Sequence, residues 1–281
     1  MANVVVSAVC NLRCAYCFAA DHLRAWRAGA APVFISRAAF EDRLDFLDRS
    51  GINEIRLIGG EPTLHPRFPE LIERARRRGK HIVVFSHGLI PEAALAALEA
   101  LPAEAGTVLV NLSATRLATG LDEGELARRR AVLRRLGPRA LPGWTIDTPA
   151  FQLDFSLALI AETGCRRALR VGLAQPLLSG RNRYLHPKQY AGVGERLAAF
   201  APRAAAAGVT LEFDCGFVRC MFSDAELAAL SEARADVGWR CNPVLDLDLQ
   251  AQASHCFPLA GWAQTPLAGP ADAASLRDRL A

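Results

Sequence analysis

No stretch of this 281-residue sequence stays apolar for the ~20 residues that a membrane-spanning helix needs, and its beginning lacks a charged segment followed by a hydrophobic one. Neither a membrane-embedded nor a secreted chain is expected from that pattern, and the expected location is the cytoplasm. Charge of one sign is equally scarce, because 33 basic and 29 acidic residues leave only +4. The excess is mostly arginine, in runs such as Arg76-Arg77-Arg78 and Arg128-Arg129-Arg130 that read as solvated helix faces. Nucleic acid is therefore not expected as a partner. The 51% hydrophobic content is enough for a large core.

Cysteine is the departure. Eight thiols in a chain without an export signal point to metal ligands rather than disulfides. Cys10, Cys14 and Cys17 form one group, Cys165 stands alone, and Cys215, Cys220, Cys241 and Cys256 fall in the last quarter. The first group follows the apolar run Val4-Val5-Val6, at a strand-to-loop junction. Three converging thiolates are one short of a closed structural zinc site and of a cluster held by protein alone. A cubane would keep one iron open to a non-protein ligand. The i, i+4, i+7 spacing also fits one face of a helix, where small cysteines pack as hydrophobes.

A second stretch bears on that choice. Glu54-Ile55-Arg56-Leu57-Ile58 reads as a strand, and Gly59-Gly60-Glu61-Pro62-Thr63 follows at its end. Two glycines let a ligand approach the backbone closely, and the glutamate offers a carboxylate to an ammonium group. Alone, such a segment reads as a turn. Together, Cys-x3-Cys-x2-Cys after a first strand and Gly-Gly-Glu-Pro after a second resemble the radical S-adenosylmethionine (SAM) superfamily. The resemblance implies a 4Fe-4S cluster on Cys10, Cys14 and Cys17 whose open iron is chelated by SAM. It also implies that Gly59, Gly60 and Glu61 hold the methionyl ammonium, and that Tyr16 lies near the adenine.

Further along, strands alternate with helices. Strands are expected at about 3–9, 54–58, 81–85, 108–113, 144–148 and 168–174, with helices between them, the second opening at the cap residue Ser36. Residues 21–32 read as an irregular or helical excursion. Six strand-helix units predict a parallel sheet with right-handed crossovers. A full TIM barrel would need eight, and doubly wound folds are another solution. The family resemblance implies a partial (β/α)6 TIM-like barrel over residues 1–208 and a small cysteine-rich extension over 209–281. In parallel α/β folds the chemistry sits at the carboxyl ends of the strands, which makes Ser86, His87, Asn111, Ser113, Asp147 and Gln175 candidates. By analogy with the family, Asn111 and Ser113 are expected on the SAM side, and Asp147 and Gln175 towards substrate. Polar residues at strand ends also cap the next helix. His22, His65, His81 and His186 read as structural or surface residues.

In the last quarter, the alternation from Val244 to Leu249 looks like a hairpin leading back to Cys256. Four thiols fit a closed 4Fe-4S cluster and a four-cysteine zinc site equally well. The extension resembles the SPASM or twitch modules that carry auxiliary 4Fe-4S clusters in radical SAM enzymes, with Cys215, Cys220, Cys241 and Cys256 as ligands. It departs from them in carrying Ala251 where a glycine is usual, and in the spacing of Cys215 and Cys220. Cys165 reads as a buried structural thiol, or else as a hydrogen donor.

The resemblance implies an enzyme that cleaves SAM reductively to a 5′-deoxyadenosyl radical and abstracts hydrogen from a peptide or small-molecule natural product. The expected outcome is oxidation or cross-linking, with electrons from a flavodoxin or ferredoxin type of donor. The alternatives are an epimerase or dehydrogenase of a sugar-type metabolite, and a zinc or iron-sulfur binding protein without catalysis.

Overall fold

The computed structural model describes the chain apart from residues 30–31, 114–115, 118–119, 178, 240–243, 257–259, 261–262, 269–270 and 281. From the start, β1 (Ala2–Ser7) leads through the cysteine loop into α1 (Ala20–Ala28), so part of the expected excursion is helical. Next come α2 (Arg37–Arg49), β2 (Glu54–Gly59), α3 (Phe68–Arg77), β3 (His81–Ser86), α4 (Glu92–Glu99) and β4 (Gly106–Asn111). A small hairpin of β5 (Arg116–Leu117) and β6 (Gly120–Leu121) precedes α5 (Glu123–Leu136), β7 (Ala140–Ile146), α6 (Asp154–Thr163), β8 (Ala168–Leu173) and α7 (Tyr190–Ala206). The last part holds β9 (Thr210–Phe213), α8 (Asp224–Glu232), β10 (Leu245–Leu247), β11 (Gln252–His255), β12 (Thr265–Pro266) and α9 (Ala273–Leu280).

Local chemistry starts the helices where the sequence says it should. Ser36 Oγ accepts the Ala39 N–H at 3.1 Å, and Asp122 Oδ1 accepts the Glu125 N–H at 2.9 Å, so both first turns have an orphan donor satisfied. Helix α5 adds Glu123 and Glu125 in its first turn and Arg134 and Arg135 in its last, each set opposing the helix dipole.

Among the described residues ten strands form one sheet, in the order β12-β11-β10-β1-β2-β3-β4-β7-β8-β9. From β10 to β9 every pairing is parallel, and β11 and β12 add antiparallel at one edge. The order is linear, so the barrel is partial and unclosed, as the six-unit expectation required. Strand β7 begins four residues before the expected Trp144 and runs through Pro142, a residue that normally argues against a central strand. Its neighbours impose it: Pro142 pairs with Val110 on β4, and Gly143 with Arg170 on β8. The 208/209 boundary falls between α7 and β9, and strands from both sides of it share this one sheet. No helix among the described residues is long and apolar enough to cross a membrane.

Side chains alternate across the sheet. Ile55, Leu57, Ile82, Val84, Val108, Val110, Trp144, Ile146, Leu169 and Val171 are buried against the surrounding helices. Arg56, Phe85, Asn111, Thr145 and Arg170 occupy the alternate positions and face the concave side, where the Arg170 guanidinium lies 5.2 Å from the centre of the Phe85 ring. The cysteine loop follows β1 at the carboxyl ends of the strands, and that end is where the site forms.

Candidate active site

The ends of β1 and β2 are sewn together by backbone. Gly60 N–H donates to Ser7 O and Glu61 N–H to Val9 O, both at 2.8 Å. A Cβ on Gly59 would lie 2.2 Å from Ser7 O, and one on Gly60 2.4 Å from Val9 O, so neither position admits a side chain. The two glycines therefore serve the approach of β1 to β2. Cys10, Cys14 and Cys17 are half-buried within the loop so held. Burial, and then the negative charge of Glu61 and of the other two thiols, pushes Cys10 up to about 11, and burial also raises Cys14 and Cys17. The three thiols raise one another electrostatically without being drawn into a metal-holding group, and a positive charge among them, such as coordinated iron would supply, would favour their thiolate forms.

Glu61 is fully buried and acts as a hub. One carboxylate oxygen accepts the Thr63 N–H and hydroxyl, and the other accepts the His87 N–H at 2.9 Å. His87 Nδ1 accepts the Leu89 N–H, which leaves the ring proton on Nε2. That nitrogen donates to Asn11 Oδ1 at 2.7 Å and lies 3.2 Å from Glu61 Oε2. Burial holds the His87 pKa below the usual histidine value although the Glu61 charge pulls it up. His87 thus fastens the cysteine loop, through Asn11, to the Gly-Gly-Glu segment.

Behind His87 stands a residue that the sequence reading misplaced. Arg128 is exposed and Arg130 half-buried, but Arg129, the centre of that run, is fully buried. Its Nε donates to His87 O at 2.6 Å and its Nη1 pairs with Glu125 at 2.8 Å. Its Nη2 is buried without a hydrogen-bond partner among the described residues, and its positive charge acts on Cys14. Helix phase carried the missing signal: Leu126, Arg129, Leu133 and Leu136 fall on one buried stripe.

Opposite, Tyr16 is buried and its hydroxyl lies 2.8 Å from Ser113 Oγ. Ser113 donates its own proton to Asn111 Oδ1, so Tyr16 is the donor in that pair. Asn111 Nδ2 in turn donates to Thr145 Oγ1 at 3.1 Å. The aromatic of the cysteine loop is thereby tied to the ends of β4 and β7.

The two residues expected towards substrate part company. Asp147 is 1% exposed, and its Oδ2 lies 2.7 Å from Arg183 Nε, so the segment after β8 already engages it. Gln175 is half-buried against Gly216, where a Cβ would come within 2.5 Å of its Nε2. Next to Gly216 is Cys215, exposed, whose N–H donates to Asp214 Oδ1. Cys220 is exposed, Cys256 is half-buried, and Cys241 lies outside the described residues. Among the described residues, no three of His, Cys, Asp or Glu are grouped to hold a single metal ion. Cys165 is buried at the amino end of β8, at the opposite end of the strands from the cysteine loop.

The sequence profile of the radical SAM superfamily matches residues 4–148, which include Cys10, Cys14, Cys17, Glu61, Arg129 and Asp147. The GTP 3′,8-cyclase of Chlorobaculum tepidum is 32% identical over 113 residues, which make up 40% of this chain and 31% of that protein. An S-adenosylmethionine-dependent nucleotide dehydratase of a Thermoplasmatales archaeon is 31% identical over 99 residues, 35% of this chain and 33% of that one. The chain thus spans about a third of the length of these curated relatives. Among solved structures, Streptococcus suis SuiB bound to precursor peptide SuiA superposes with a TM-score of 0.64 at 12% identity, over 94% of this chain and 61% of that one. That likeness is one of fold. Matched to the family profile over 145 of 281 residues, the chain belongs to the radical SAM superfamily and is an enzyme that uses a 4Fe-4S cluster and SAM.

Proposed function

We propose that the enzyme acts on a peptide or small-molecule natural product, removing hydrogen from an unactivated carbon with net oxidation or cross-linking. When bound, the cluster and SAM supply a 5′-deoxyadenosyl radical, and the protein's task is binding, orientation and exclusion of water. Cys10, Cys14 and Cys17 would hold three irons and leave the fourth to SAM. The single observation that carries the reading is Arg129 Nη2, buried without a hydrogen-bond partner among the described residues, on a side chain whose charge reaches Cys14. A buried guanidinium nitrogen without an acceptor is costly, and a methionyl carboxylate bound beside the cysteine loop would satisfy it. Glu61, saturated by Thr63 and His87, stiffens the loop that would carry the ammonium. Tyr16 and its partners Ser113 and Asn111 would line the adenosine side.

Cys215, Cys220, Cys241 and Cys256 would hold an auxiliary cluster in a twitch-like extension. The packing of Gly216, the residue after Cys215, against Gln175 supports a position over the barrel mouth, where the cluster could receive the electron left on substrate. SuiB binds a precursor peptide in a fold of this kind, which favours a peptide here. The names of the curated relatives, a GTP cyclase and a nucleotide dehydratase, favour a second reading with a small metabolite as substrate.

Anaerobic reconstitution tests both halves. The wild-type protein is expected to turn brown with iron and to yield 5′-deoxyadenosine from SAM under dithionite. Cys14→Ala abolishes that cleavage. Cys241→Ser leaves uncoupled cleavage largely intact but removes substrate turnover, and equal loss of both would overturn the division of labour. An iron-free protein that binds zinc and leaves SAM intact would sink the proposal as a whole.

A further inference from the structure

The segment that leaves β8 does not return directly to its helix. It crosses the mouth of the barrel to the loop after β1, although four strands, β2, β3, β4 and β7, separate β8 from β1 in the sheet. There it makes long-range ties. Arg183 N–H donates to Ala15 O at 2.7 Å, and Asn182 Nδ2 lies 3.4 Å from Tyr16 O. Ser179 Oγ and Arg181 Nη2 both donate to Asp21, just past the third cysteine. Asn182 is itself fixed, since it accepts the Leu177 N–H at 2.8 Å and donates to Gln175 O at 2.7 Å. The Ala15 and Tyr16 carbonyls lie between Cys14 and Cys17, in a turn whose own backbone tie is Cys17 N–H to Cys14 O.

Arg183 anchors the crossing. Its side chain is about half exposed, yet its Nε reaches the buried carboxylate of Asp147 just past the end of β7. One residue therefore grips the cysteine turn with its backbone and the barrel wall with its side chain. An exposed arginine gains little from a surface carboxylate, but a buried carboxylate without its partner is costly, so this pair resists opening.

We propose that Arg183 is a positioning residue: through Asp147 and Ala15 it clamps the Cys14–Cys17 turn onto the barrel and sets how readily the two thiols, and iron bound to them, are reached from solvent. The clamp on the thiols is a property of the folded chain. Only its consequence for iron rests on the function proposed above.

The test begins on the full-length apoprotein, with iodoacetamide as probe and peptide mass spectrometry of Cys14, Cys17 and Cys165 as readout. Arg183→Gln removes the positive charge beside the buried Asp147 carboxylate, so Asp147→Asn/Arg183→Gln, which removes both charges, is measured beside it. Both variants are expected to alkylate Cys14 and Cys17 about tenfold faster than wild type, since local opening sets the rate. Cys165, at the other end of the strands, should keep its rate, and Arg183→Lys should stay within about threefold of wild type. On reconstituted protein, iron release to a chelator should accelerate in the same order. Unchanged rates at Cys14 and Cys17 would overturn the clamp, and so would an equal acceleration at Cys165, which would mean general loosening. A wild-type protein that takes up no iron would count against the proposed function, while the alkylation arm would still decide the clamp.

Discussion

The motif residues were legible because chemistry makes them rare. A cysteine triplet and a double glycine before glutamate have few bland explanations, and the structure gathers them at the ends of adjoining strands. Arg129 was not legible by residue type, because arginine inside an arginine run is usually solvated. Glu61 was legible as a candidate, but its three donors become visible only once Thr63 and His87 are folded around it. His87 carries a prediction at this scale. Its pKa is depressed by burial, so the unfolded chain binds that proton more readily. The stability owed to its neutral form is complete above the ordinary histidine value and is lost as pH falls through the depressed one. Unfolding free energies from denaturant titrations between pH 7.5 and 5 should fall, with a slope of at most about 1.4 kcal/mol per pH unit for this one proton. Since burial depresses His65 and His22 too, His87→Gln should flatten the slope without abolishing it. An unchanged slope would show that the ring titrates freely.

Among elements, the long helices and the apolar strands followed from period and caps, whereas β7 did not. A proline and a glycine in succession look like a turn until two flanking strands dictate otherwise. The hairpin of β10 and β11 shows the reverse case. Ala251, in the turn between them, has the left-handed backbone that glycine would favour, with φ +61°. A Cβ in that conformation is strained. Ala251→Gly should therefore stabilise the protein by about 0.5–1 kcal/mol, less the extra entropy of the unfolded glycine. Thermal melting can read this as a rise of about 1–4 °C, and a fall would mean that neighbours already compensate the strain.

For the whole molecule, partition was the hardest thing to read. Cysteine content marks the last quarter as different, yet pairing shows its strands on both flanks of the barrel, with Leu211 of β9 against Leu169 of β8 and Leu247 of β10 against Val4 of β1. Sequence periodicity finds strands but carries no record of which distant strand each will meet. A chain ending at residue 208 would bare both edges of a parallel sheet. It should be insoluble or lack a cooperative melt by circular dichroism, and a soluble, cooperatively folded fragment would show that the last quarter is a true appendage.

The side-by-side placement of β1 and β10 also matters before the protein is finished. Asn3 and Asp246 hydrogen-bond across 243 residues of sequence, so at ordinary translation speeds the first strand waits roughly 10–50 s for one of its two neighbours to leave the ribosome. Throughout that interval Val4, Val5 and Val6 border a vacant parallel slot, the kind of sticky nascent surface that holding chaperones cover. Slower, cooler expression with trigger-type chaperones in excess is the condition under which this chain should be recovered in best yield.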